Sequence, residues 1–133
     1  MNAIRPLAPL IAALTLAIGT PGPVRADPGT LDGKQFQGVF LERGKTSGDA
    51  DTLTFRDGRF RSSACDRYGY SDAPYKSLAQ GDATAFEAET ESAKYGKLVW
   101  KGMIRDGKLD ATATMLRQGK PPLENWVVAG VKP

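Results

Sequence analysis

The chain has 133 residues, 25% of them charged, with a formal net charge of +3, one cysteine and no histidine. That inventory removes histidine-based acid–base chemistry and leaves Cys65 without an intramolecular disulfide partner. The basic residues form no cluster, so nucleic acid is not an expected partner.

Residues 1–26 read as a secretory signal peptide. A positively charged start, MNAIR, leads into the apolar run Leu7–Ile18, and the tail GTPGPVRA ends at a cut between Ala26 and Asp27. The apolar run is shorter than the roughly 20 residues of a bilayer-spanning helix, so no membrane association is expected after cleavage. The expected location is therefore periplasmic or secreted. Residues 27–133 are expected to form one domain, large enough to bury a core without metals or disulfides.

Beyond Asp27 the pattern is one of short strands. KQFQGVFLE (Lys34–Glu42) reads as the first. FRDGRF (Phe55–Phe60) follows, and IRDGKL (Ile104–Leu109) repeats it: apolar, Arg, Asp, Gly, basic, apolar. Asp-Gly between two strand-like runs is the composition of a type I′ hairpin, whose central residues both need positive φ. The first hairpin sets Phe55 against Phe60 and Leu53 against Ser62. The second sets Ile104 against Leu109, Gly102 against Ala111, Trp100 against Ala113 and Leu98 against Met115.

Between the hairpins lie YKSLA (Tyr75–Ala79), AFEAETE (Ala85–Glu91) and KLVWKGMI (Lys97–Ile104). The last two alternate, and one register serves both faces. It sets Glu91 against Lys97 and Glu87 against Lys101 outside, with Trp100 against Ala88 and Phe86 against Gly102 inside. WVVAGV (Trp126–Val131) is apolar on both faces, which leaves its phase open and admits cover on both sides. About eight short strands without helical periodicity predict an all-β fold, an up-and-down antiparallel barrel in which closure removes exposed edges. A two-sheet sandwich is the rival architecture.

Chemistry-bearing motifs are few. RGKTSG (Arg43–Gly48) has the wrong spacing for a phosphate-binding P-loop, and a strand follows it where a helix is required. DADT (Asp49–Thr52) lacks the glycine and distal glutamate of a calcium loop. Glu87, Glu89 and Glu91 share a solvent face opposite lysines, which suits ionised surface carboxylates. No metal, cofactor or catalytic group is predicted.

The segment SSACDRYGYSDAPY (Ser62–Tyr75) stands apart. Strict alternation from the first hairpin turns Cys65 outward beside Arg61, whose charge would favour thiolate and a redox role. The general tendency of free cysteine argues instead for a buried structural thiol, with a disulfide between chains as a third reading. A barrel of eight strands either fills with side chains or holds one small ligand. The leading expectation is a non-catalytic barrel that binds a small, partly apolar molecule beneath the Cys65–Pro74 loop. Trp100, Trp126 and Tyr75 would stack on that molecule, and Ser62 and Ser77 would orient it. The alternative is a protein-interaction module, an inhibitor or envelope accessory protein, whose partner meets the loop through Tyr68 and Tyr70.

The run S-x-A-C-D-x-Y-G-aromatic, with FEAE, VWKG and a late NW…AG strand, resembles a group of short uncharacterised exported bacterial proteins. The resemblance implies a compact periplasmic β domain in which Cys65 belongs to the shared pattern. The architecture is also similar to lipocalin and avidin-like barrels. The first strand, GKQFQG, lacks the Gly-x-Trp opening of lipocalins, so the likeness implies no particular ligand.

Overall fold

The computed structural model describes residues 31–131. The expected signal peptide and its cleavage site lie outside the described residues. Eight strands follow one another: β1 Gln35–Glu42, β2 Asp49–Arg56, β3 Arg59–Ser62, β4 Ala73–Gln80, β5 Ala83–Ser92, β6 Gly96–Arg105, β7 Lys108–Leu116 and β8 Leu123–Val131. Each pairs antiparallel with the next, and β8 pairs back onto β1. The result is a closed up-and-down barrel rather than a two-sheet sandwich.

Local chemistry accounts for the tight turns. Asp57 and Gly58 have φ of 51° and 74°, and Asp106 and Gly107 have φ of 50° and 75°. Both turns thus take the doubly positive φ of a type I′ hairpin, whose twist matches that of the flanking strands. The register follows: Phe55 faces Phe60, Ile104 faces Leu109 and Trp100 faces Ala113. Across β5 and β6, Glu91 pairs with Lys97, Glu87 with Lys101, and Trp100 with Ala88. Phe86 faces Gly102, where an added Cβ would lie 2.4 Å from Phe86 Cε1. The glycine makes room for the ring.

The barrel's middle is filled by aromatic side chains. Phe60 meets Trp100 at 4.8 Å and 62°, and Phe55 meets Phe86 at 5.0 Å and 86°. These edge-on geometries are favourable for rings with negative faces and positive edges. One end of the barrel is closed by the approach to β1. Leu31 is buried there, its N–H donates to the Tyr75 hydroxyl at 2.9 Å, and that hydroxyl donates to Asp32 Oδ1 at 2.8 Å. Asp32 also accepts from Gly58 N at 3.0 Å, which ties this plug to the β2–β3 turn.

β8 resolves the open phase at the C-terminus. Asn125, Val127 and Ala129 are buried, whereas Trp126 and Val128 are 45% and 60% exposed. The strand is therefore covered on its inner face only, because no further element packs on the outer one among the described residues. The weakest seam lies between β3 and β4, where Arg59 pairs with Pro74 and Phe60 with Ala73. After four residues β3 gives way to a short 3-10 turn, Ser63–Tyr68, and the chain takes a loop to reach β4.

Candidate functional site

The end opposite the Leu31 plug carries four loops: β1–β2, β3–β4, β5–β6 and β7–β8. They surround a cavity of about 580 Å³. Its buried lining is Ala64, Cys65, Tyr70, Leu98 and Asn125, joined by the half-buried Phe40 and Met115. This volume falls among those of small-molecule sites, about 300–1,000 Å³. The barrel is thus filled in its middle and open at one end.

The wall nearest Cys65 is built around a buried carboxylate. Asp51 stands in phase with Leu53 and Phe55 on β2 and points inward with them. It accepts hydrogen bonds from Ser62 Oγ at 2.7 Å and from Ala64 N at 3.0 Å, so it holds the first turn after β3. Burial raises its pKa although these hydrogen bonds, with those from Ser63, oppose the shift. Gly69, at φ 84°, ends the turn and lets Tyr70 fold back into the barrel. Ser92 Oγ donates to the Tyr68 carbonyl at 2.7 Å and accepts from Tyr95 N at 3.2 Å, which joins the β5–β6 loop to the same turn. At the rim, the rings of Tyr68 and Tyr95 meet edge-on at 5.7 Å.

Cys65 is buried and does not stand beside Arg61, as strict alternation expects. Alternation ends at Ser62, and the 3-10 turn rotates the thiol inward, 3.4 Å from Ser62 Oγ. Arg61 remains outside and pairs with Asp66. Burial pushes the Cys65 pKa up to about 11, with the negative charges of Asp51, Asp66 and Asp49 adding to the effect and the Ser62 hydrogen bond opposing it. The thiol is therefore protonated at neutral pH, a state suited to packing rather than to nucleophilic or redox chemistry.

Of the residues singled out in the sequence, Cys65, Tyr68 and Tyr70 line the cavity. The others do not meet there. Ser62 lies behind the wall, its hydroxyl committed to Asp51. Tyr75 belongs to the plug at the far end. Ser77 is buried on β4 opposite Phe86. Trp100 is fully buried in the aromatic core and donates from Nε1 to Thr90 Oγ1 at 3.3 Å. Trp126 faces outward and donates to Glu124 at 3.0 Å, with Arg43 above its ring.

The sequence pattern does not mark Lys45, Arg117, Lys120 or Asn125 as site residues, nor Asp51, which stands behind the cavity wall as an acid in phase with buried Leu53 and Phe55. Asn125 depended on the unresolved phase of β8; its Nδ2 donates to the Ala113 carbonyl at 3.1 Å. Lys45, Arg117 and Lys120 lie in or beside loops, where periodicity gives no direction.

Among the described residues, no group of three His, Cys, Asp or Glu side chains is arranged to hold a metal ion. No helix among them is long and apolar enough to cross a membrane. Comparison with protein-family models, curated proteins and solved structures returns no match. The likeness to lipocalin-type proteins therefore stands at the level of architecture, an eight-stranded closed antiparallel barrel.

Proposed function

We propose that this chain is exported, loses residues 1–26, and acts without catalysis as a periplasmic binding barrel for a small, partly apolar molecule. The supporting observation is the open-ended cavity, whose apolar Phe40, Leu98 and Met115 stand beside the polar groups of Tyr70 and Asn125. Ligand sites commonly combine an apolar lining with a few placed polar groups. The binding surface differs from the set expected in the sequence, since Trp100, Trp126, Tyr75, Ser62 and Ser77 stand elsewhere. N-terminal sequencing of the protein recovered from its host compartment should begin at Asp27; a start at Met1 would contradict export with cleavage.

Tryptophan fluorescence tests the binding reading. Trp100 packs 5.9 Å from Phe40, which lines the cavity, whereas Trp126 lies outside and adds background. In a Trp126→Phe variant, saturable changes in Trp100 emission are expected with at least one member of a lipid, sterol and quinone panel. A flat response to every compound would contradict binding in the cavity. A second reading rests on the exposed Tyr68–Tyr95 pair at the rim, with Arg67 above Tyr68 and Lys94 above Tyr95. There the Cys65–Pro74 loop would contact a protein partner. Loss of a captured partner in a Tyr68→Ser variant that still binds ligand would favour it.

A further inference from the structure

Two buried side-chain polar atoms lack a hydrogen-bond partner among the described residues, Tyr70 Oη and Arg117 Nε. Both residues line the same cavity. Tyr70 is 6% exposed, and burial raises its pKa, so its hydroxyl keeps the proton it can donate. Arg117 is held by its Nη2, which donates to the Pro121 carbonyl at 2.9 Å, and this leaves Nε–H facing no acceptor. Buried donors without acceptors are costly, so two around one cavity point to something that supplies oxygen atoms there.

Charge at the mouth narrows the choice. Lys45, Arg117 and Lys120 line the cavity with two acids, Glu42 and Asp49. Asp49 is engaged by Arg67 at 2.8 Å, so the balance facing a ligand is positive. The turn from Arg117 to Lys120, closed by Lys120 N donating to the Arg117 carbonyl at 3.1 Å, brings two of the cations together.

We infer that the cavity takes an amphiphilic monocarboxylate, its carboxylate accepting from Arg117 at the mouth and its apolar body lying on Phe40, Leu98 and Met115. Tyr70, on the same cavity lining, donates to that same carboxylate from the inner side. A guanidinium suits a planar carboxylate better than an ammonium does, because its fork of donors matches the two oxygens. This inference rests on the binding reading above and goes beyond it in naming the ligand's chemical class.

Isothermal titration calorimetry of the chain from Asp27 to Pro133, with probes kept below their micellar concentrations, tests it. Dodecanoate should bind at least about tenfold more tightly than dodecanol or dodecyltrimethylammonium, and the advantage should shrink as salt screens the charges. Arg117→Gln should remove most of that advantage while dodecanol binding holds. Tyr70→Phe should weaken dodecanoate about five- to tenfold and leave the urea midpoint unchanged or higher, because the unliganded protein loses an unsatisfied hydroxyl. A structural role alone would lower the midpoint. Equal binding of dodecanoate and dodecanol overturns the inference and leaves the binding reading intact. The same holds if none of the three binds while the fluorescence panel yields a ligand. Silence in both experiments overturns both.

Discussion

Trp100→Ala is expected to destabilise the domain by about 3–5 kcal/mol, the range for deleting a buried large aromatic side chain. Trp100 is fully buried and contacts Phe60 and Phe40 at 4.8 and 5.9 Å. Its loss opens a cavity between β6 and the opposite wall and deprives the buried Thr90 hydroxyl of its 3.3 Å partner. Against a total of about 5–15 kcal/mol for a small domain, that is a large share. Trp126→Ala, on the outer face, should cost under about 1 kcal/mol by comparison. Urea denaturation of the two variants checks the contrast. Equal losses, or a cost below about 1 kcal/mol for Trp100, would contradict a core built around this ring.

The second large effect concerns the thiol. With its pKa near 11, Cys65 is about one part in a thousand thiolate at pH 8, whereas a cysteine at its ordinary value of 9.0 is about one tenth thiolate. Iodoacetamide should therefore alkylate the native protein at least about 100-fold more slowly than the urea-unfolded chain. The same shift couples to stability. Below about pH 8 the thiol is almost wholly protonated in both folded and unfolded chains, and its contribution is fully present. As pH rises toward 11 the unfolded chain releases the proton first, so stability falls by about 2 kcal/mol. Cys65→Ala should lack that increment, and unfolding both chains at pH 8 and pH 11 isolates it. Identical alkaline losses, or rapid native alkylation, would show a thiol open to solvent.

Strand pairing was the most legible feature of the sequence, for identifiable reasons. Asp57-Gly58 and Asp106-Gly107 specify turns that only a few residues tolerate, and a two-residue turn fixes register outright. Between β5 and β6 the longer loop gave no such anchor. There the glutamate–lysine pairing outside and the fit of Phe86 over Gly102 inside chose the same register.

The site was less legible because alternation reports which face a side chain takes and says nothing of its height along the barrel. Tyr75 faces inward as its pattern requires, but the offset between short β3 and β4 carries it to the plugged end. Trp126 sits in a strand apolar on both faces, so the pattern leaves its phase open, and the burial of Asn125 and Val127 turns it outward. Cys65 lies past the point where alternation holds, since Asp51 and Gly69 fix a 3-10 turn there. Asp51 itself runs against the rule that charged residues face water; hydrogen bonds from Ser62, Ser63 and Ala64 N offset the cost of its burial.

The central claim is that the open end of the barrel holds a ligand. Backbone amide chemical-shift mapping during a dodecanoate titration tests it most directly. The account predicts that saturable shifts concentrate in the cavity loops and walls, around Phe40 to Asp49, Ala64 to Tyr70, Tyr95 to Leu98 and Met115 to Asn125. Shifts confined to the outer face of β8 around Trp126 and Val128, or to the plugged end around Leu31 and Tyr75, would contradict it.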